Sequence, residues 1–307
     1  MKRETEMKKY FALGVLLGLS GSLWAGGNGG ATGAFLTLPA GARSAAMAEG
    51  GVALAMDAHA LLLNPAALAG LKNASVVGTH GAYLDSSFVD QIAYARPKGK
   101  TGAWGVGLQY FSAGSVEETD TLGNPVGSFN PNDLALTVGG AKAFRRLTAG
   151  ANVKYVRSKL IDSANAFSLD LGLSSRPMLK DRLNLAFVGQ NLIGSLKYDQ
   201  EKNDLPRVFK AAAGYAVKDN WDVAADVVFP TEEDSYFGLS SEYRLKSEGP
   251  WGLALRGGYN TRTSDVDGFA GFSMGLGVTR HAMTVDYAFL PFGDVGSTHW
   301  ITLGWKL

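Results

Sequence analysis

From Val76 to Leu307 the chain repeats one pattern: runs of about 10 residues in which apolar side chains alternate with small or polar ones, each closed by a polar turn. Successive side chains of a strand leave on opposite faces. In one run Leu147, Ala149, Ala151, Val153 and Tyr155 therefore share a face, while Arg146, Thr148, Gly150, Asn152 and Lys154 share the other. The same split separates Phe237, Leu239 and Tyr243 from Gly238, Ser240 and Glu242, and Met283, Val285, Tyr287 and Phe289 from Thr284, Asp286 and Ala288. A period of two sustained over so many runs makes the chain all-β. It leaves two architectures: a secreted soluble β-sandwich or adhesin with its apolar faces buried, and a membrane barrel with those faces turned to lipid.

Three features favour a transmembrane antiparallel β-barrel. Charged and small residues share the polar face, as a lumen requires. The aromatics Tyr155, Trp221, Tyr243, Trp251, Tyr259 and Tyr287 gather near run ends, where girdles meet lipid headgroups. The last run alternates Ile301, Leu303, Trp305 and Leu307 with Trp300, Thr302, Gly304 and Lys306, so that Trp305 and Leu307 resemble the terminal signal read by the barrel-insertion machinery. Candidate runs begin near residues 75, 91, 103, 134, 147, 166, 183, 208, 221, 236, 251, 269, 282 and 299, which predicts about 14 strands. Residues 74–307 allot about 17 residues to each strand and its connection, and the longest connections follow the third and seventh runs. Glycine (40 residues) and an absence of cysteine suit a sheet that closes by hydrogen bonds alone.

The N-terminus has a different texture. Lys2, Arg3, Lys8 and Lys9 precede an apolar run from Tyr10 to Leu19, and Ala25 offers a small residue for cleavage, so residues 1–25 read as a secretory signal peptide. No later stretch is apolar for the 18 residues that a membrane helix needs. The mature chain then divides into residues 26–73, an N-terminal hatch or plug too short to fold alone, and residues 74–307, the barrel. The expected location is the outer membrane.

Little points to covalent chemistry. A net charge of +1 removes the electrostatic reason to expect nucleic acid. His59, His80, His281 and His299 lack ligand spacing, and no nucleophile motif is present, so neither a metal, a cofactor nor a catalytic residue is expected. The polar faces do carry charges of opposite sign on consecutive strands: Lys154 with Asp170, Lys210 with Asp226, Glu242 with Arg256, and Asp286 with Lys306. These predict cross-links inside a low-dielectric lumen, or a charged eyelet. Arg43 in the hatch is expected to anchor to a lumen carboxylate such as Asp170 or Asp226. Gly102, Gly105 and Gly107 mark the third strand as a candidate lateral opening.

The stretch Gly41-Ala42-Arg43-Ser44-Ala45-Ala46-Met47, the segment from Asp57 through Asn64-Pro65-Ala66, and the closing Val285-Asp286-Tyr287-Ala288-Phe289-Leu290-Pro291-Phe292-Gly293-Asp294-Val295-Gly296 together resemble the PorV/PorQ branch of the FadL-like outer-membrane barrels. The similarity spans nearly the whole mature chain. It implies a 14-stranded barrel with a hatch in the lumen, including Arg43, Asn64, Pro65 and Ala66, that works by binding and gating and not as an enzyme. Two jobs fit: passage of hydrophobic small molecules, or service as an outer-membrane component of protein secretion. The implied partners are outer-membrane lipid, the insertion machinery, and either a hydrophobic ligand or secretion-system components. A general diffusion porin is the rival transmembrane function, and predicts an open lumen without a hatch.

Overall fold

The computed structural model describes residues 32–198, 201–245, 249–263 and 268–307. The signal peptide expected at 1–25 and the start of the hatch, 26–31, lie outside the described residues. The alternating runs form fourteen antiparallel strands closed into one barrel. In chain order they are β1 Ser75–Ala82, β2 Phe88–Lys98, β3 Gly102–Ser112, β4 Asn132–Ala143, β5 Leu147–Lys159, β6 Ser163–Ser175 and β7 Leu183–Gln190, followed by β8 Val208–Lys218, β9 Trp221–Pro230, β10 Tyr236–Leu245, β11 Trp251–Asn260, β12 Phe272–Arg280, β13 Met283–Pro291 and β14 Ser297–Lys306. Strand β14 closes the ring on β1, from Ser75↔Lys306 to Ala82↔His299. The twelfth strand begins three residues later than Phe269. Gly271 holds φ at 84°, a turn geometry that cannot join the ladder, and Phe269 stands exposed in that turn.

The period of two becomes an inside and an outside. Leu136, Val153, Phe167, Leu171, Phe187, Leu239, Leu255, Leu276 and Leu303 point outward and stay exposed. On a closed barrel this is the lipid-facing band, and the protein is an outer-membrane barrel. With both ends of the barrel chain on the periplasmic side, the short turns after even strands face the periplasm and the long loops face the exterior. Two of those loops carry hairpins of their own, Val116–Thr119 with Pro125–Phe129, and Ser195–Tyr198 with Glu201–Asp204.

The ladders are unequal. Strand β3 is paired along its whole length, to β2 from Gly102↔Lys98 to Ser112↔Phe88 and to β4 from Gly102↔Lys142 to Ser112↔Asn132. Its glycines therefore open no gap, contrary to the expectation placed on Gly102, Gly105 and Gly107. They serve packing: a Cβ at Gly105 would lie 2.9 Å from the Tyr94 carbonyl oxygen. The interrupted seam lies between β6 and β7, which pair only over four rungs from Leu171↔Gly189 to Ser174↔Ala186, although β6 starts at Ser163.

Inside the ring lies the segment before β1. It contains the short helices Gly41–Ala46 and Ala60–Leu63 and 3-10 turns at Ala34–Thr37, Val52–Leu54 and Pro65–Gly70. Its apolar side chains pack on inward residues of the wall. Ala42, Ala45 and Ala46 meet Ala288, Leu290 and the fully buried Trp300, while Leu61 and Leu68 meet Val77, Ala93 and Ala103. The core of this protein is the interface between hatch and wall.

Candidate functional site: the hatch and its latches

An irregular segment carries backbone groups that no helix or strand satisfies, and when buried each must find a partner. Here the wall supplies them. Gln91 accepts from the Gly41 amide at 3.0 Å and donates to the Pro39 carbonyl at 2.9 Å. Thr302 accepts from the Ala42 amide, and Ser273 both accepts from the Ala48 amide and donates to the Ala46 carbonyl. Gln109, Asn152 and Gln190 donate to the carbonyls of Phe35, Leu61 and Leu62. The turn at Gly51 points two successive amides at Asp226, 3.0 and 3.1 Å from its two carboxylate oxygens. A wide barrel thereby holds a chain with little regular structure.

Close approach is needed for such contacts, and glycines provide it. The Asn64-Pro65-Ala66 element sits on β5 and β6 where the inward positions are Gly150 and Gly172. A Cβ at Gly150 would fall 2.4 Å from the Pro65 carbonyl carbon, and one at Gly172 would fall 2.5 Å from Asn64 Oδ1. Asn64 is fully buried; its Oδ1 caps the following turn by accepting from the Ala66 amide, and its Nδ2 donates to the Val52 carbonyl and Ser174 Oγ. Gly258 likewise makes room for Ala48, and Gly275 for Ala46.

Charge ties the hatch down at two levels. Near the periplasmic mouth Arg43 Nε donates to Glu242 at 2.8 Å, and its Nη1 donates to the Leu54 carbonyl. Glu242, 2% exposed, also accepts from Arg256 and Arg244, Arg256 reaches Asp286 at 2.6 Å, and Arg244 reaches Asp222 at 2.6 Å. Burial acts to discharge Arg43, but Glu242, aided by Asp57 and Asp286, outweighs it and holds the guanidinium pKa above its usual value. Asp57 is pushed up by burial and pulled down by His59 and Arg43, with a net pKa of about 2. Toward the exterior, Arg262 bridges the hatch residue Glu49 at 3.3 Å and the loop residue Glu233 at 2.7 Å. Beneath the lower latch a cavity of about 340 Å³ opens to the periplasm, lined by Arg43, Met56, Asp57, Glu242, Arg256 and Asp286.

The charges singled out in the sequence divide accordingly. Lys154 and Asp170 pair at 2.9 Å, and Glu242 and Arg256 pair at 2.7 Å. Lys210 and Asp226 are both buried in the lumen, and the hydrogen bonds of Asp226 go to the hatch amides. Asp286 and Lys306 do not pair. Arg256, on β11, reaches across β12 to take Asp286, and Lys306 stands exposed at the barrel end. Arg43 engages Glu242 instead of Asp170 or Asp226, because the helix Gly41–Ala46 lies against β12, β13 and β14, while Asp170 is engaged on the far wall with Lys154, Asn152 and the Asn191 amide. Trp305 and Leu307 are exposed at the end of β14. Sequence reasoning passed over the uncharged docking residues Gln91, Gln109, Asn152, Gln190, Ser273 and Thr302. The four amides among them carry a signal in their position, as large side chains at inward places where a water-filled lumen has no need of them; the hydroxyls Ser273 and Thr302 carry none.

Among known proteins, the family model described as type IX secretion system protein PorV matches residues 29–216. No curated protein matches the chain. Solved structures with the same fold include the Pseudomonas putida toluene transporter TodX, at 15% identity and a TM-score of 0.58, covering 87% of this chain and 97% of that one. The Ralstonia pickettii toluene transporter TbuX is similar at 14% identity and 0.57, covering 87% and 98%. A Pseudomonas aeruginosa FadL homologue follows at 10% identity and 0.58, with the same coverage.

Proposed function

The chain belongs to the PorV family of type IX secretion system proteins, and from that membership we propose that it is a plugged outer-membrane component of secretion that works by docking partners and not by conducting solutes. The observation that carries this reading is the filled lumen: hatch backbone is hydrogen bonded to the wall from Gln109 through Asp226 to Thr302, with Arg43–Glu242 as the lower latch. A general diffusion porin needs an open aqueous path. The mechanism is binding without covalent chemistry. The hatch residues Arg43, Asn64, Pro65 and Ala66 keep the lumen shut, and Trp305 with Leu307 serve as the insertion signal. Cells that lack the gene are expected to retain secretion cargo and to export it again when the wild-type gene is restored. Unchanged export in the deletion strain would sink the proposal.

A second reading, passage of a hydrophobic small molecule, is favoured by the interrupted β6–β7 seam. Above its last rung the wall is completed by a non-strand segment, tied through the Leu192 amide to the Leu169 carbonyl and through Ser168 Oγ to the Ile193 carbonyl. Behind it lie Phe35, Leu36, Leu196 and Leu205, an apolar lining next to the start of the hatch. Displacing this segment breaks few backbone hydrogen bonds, so this is the place where a lipid-borne molecule would enter.

A further inference from the structure

The periplasmic end of the barrel is basic along one arc. In the turns after β2, β4 and β6 the single acid is Asp181, against Lys100, Arg145, Arg146, Arg176, Lys180 and Arg182, all exposed. The last two of these turns form one surface, because the Arg176 amide donates to the Arg146 carbonyl at 3.2 Å beside the final rung Leu147↔Ser175. Among the described residues, none of the five cations on that surface forms an ion pair. At the exterior end, by contrast, Arg207 pairs with Asp204 at 2.9 Å and Arg262 with Glu233 at 2.7 Å. The whole chain carries only +1, so the unpaired cluster belongs to this place and not to the composition.

Apolar side chains are interleaved with these cations. Phe144, Leu147, Met178 and Leu179 are all exposed, and Leu147 begins the lipid-facing band of β5. The loop after β6 runs from Arg176 to Arg182, whereas the turns after β2, β4, β8 and β12 take two or three residues. Its tip holds Leu179, Lys180 and Asp181 at φ of 51°, 61° and 64°, a left-handed run that side chains disfavour. Strain of this kind persists where it serves a task, and here it presents Leu179 and Lys180 outward. Position selects the occupant. Strand ends of a membrane barrel stand among lipid headgroups, so phospholipid of the periplasmic leaflet lies against the ends of β4 to β7. Lys142 folds its ammonium over the Phe144 ring at 5.7 Å, the posture of a cation at that level. An acidic protein would match the cations but not the outward Phe144 and Leu147.

We propose that residues 144–147 and 176–182 form a binding site for an anionic phospholipid headgroup, that of phosphatidylglycerol or cardiolipin, in the periplasmic leaflet. The arginines take the phosphodiester oxygens, for which the guanidinium fork is shaped, while Phe144, Leu147 and Leu179 lie against glycerol and acyl carbons. A zwitterionic headgroup brings an ammonium of its own into a cluster of like charge and is disfavoured. The turns span four adjacent strands, roughly 14 Å at about 4.8 Å per strand, which leaves room for the two phosphates of cardiolipin. This site is independent of the secretion reading and goes beyond it, since the headgroups are met whatever the barrel handles.

Native mass spectrometry of the purified full-length protein tests this, in detergent carrying equal amounts of cardiolipin, phosphatidylglycerol and phosphatidylethanolamine. The wild type is expected to retain the anionic lipids over phosphatidylethanolamine, and an excess of inorganic phosphate is expected not to displace them. The double variant Arg145→Gln with Arg146→Gln removes two unpaired cations from an exposed turn, so the barrel stays heat-modifiable. Each cation near an anionic membrane surface is worth roughly fivefold, and the variant is expected to cut anionic retention roughly tenfold or more. The exterior control Lys197→Gln with Lys202→Gln is expected to change nothing. In intact outer membranes a photo-reactive amino acid at Leu179 is expected to give phospholipid adducts. Equal retention of the three lipids, displacement by phosphate, an equal loss in the exterior control, or a discrete protein adduct at Leu179 would each overturn the site.

Discussion

At the scale of single residues, the inward glycines carry information that their polar-face neighbours do not. Gly150 and Gly172 sit under Asn64-Pro65-Ala66 so closely that a Cβ at Gly150 would lie 2.4 Å from the Pro65 carbonyl carbon. A Gly150→Val protein is therefore expected to keep its barrel, since valine suits a strand, while the overpacked hatch contact loses about 1–3 kcal/mol. Limited proteolysis of the purified protein reads this directly: cleavage within 32–73 should rise while the barrel stays heat-modifiable, and a hatch as protected as in the wild type would contradict the seat assigned to Gly150. None of this was legible beforehand. A glycine on a polar face reads the same whether it faces water or a neighbouring backbone, and the two cases separate only when the hatch is in place. The charges were half legible for a related reason. Opposite signs on consecutive strands located Lys154–Asp170 and Glu242–Arg256, but an arginine is long enough to reach past the adjacent strand, as Arg256 does to Asp286.

At the scale of elements, strand number and facing followed from the period of two, because a closed barrel leaves every alternation visible in the sequence. Pairing extent did not. How far β6 rises beyond β7 depends on where the stagger of the barrel is taken up, and stagger is a property of the closed ring and not of any one strand. The third strand, whose Gly102, Gly105 and Gly107 suggested a lateral opening, is paired on both edges and holds these glycines in the ladder. The β6–β7 seam can be tested on its own. Cysteines at Leu169 and Leu192, positions already joined by a backbone hydrogen bond, would lock the non-strand segment to β6 when oxidised. If a hydrophobic molecule enters there, uptake of a probe such as toluene by proteoliposomes should fall on oxidation and recover on reduction. Uptake that ignores the lock would remove the seam as an entry.

At the scale of the whole molecule, the protein is a ring whose stability and closure depend on a segment that has almost no regular structure. The wall offers amides, hydroxyls and carboxylates wherever the hatch needs partners, and the hatch returns apolar side chains that exclude water from the lumen. Secretion through partners at the wall and passage of a solute through the lumen make opposite demands on that closure. The most direct test uses a disulfide between hatch and wall in a chain that has no cysteine of its own. A Cβ at Gly238 would lie 3.2 Å from Ala48 Cβ, close to the spacing of about 3.5–4.5 Å that a disulfide spans. Cells carrying Ala48→Cys with Gly238→Cys are compared for cargo export with the bond oxidised and reduced. Export that continues unchanged with the hatch locked is the predicted result; export that stops on oxidation and resumes on reduction would contradict it and make the lumen the route.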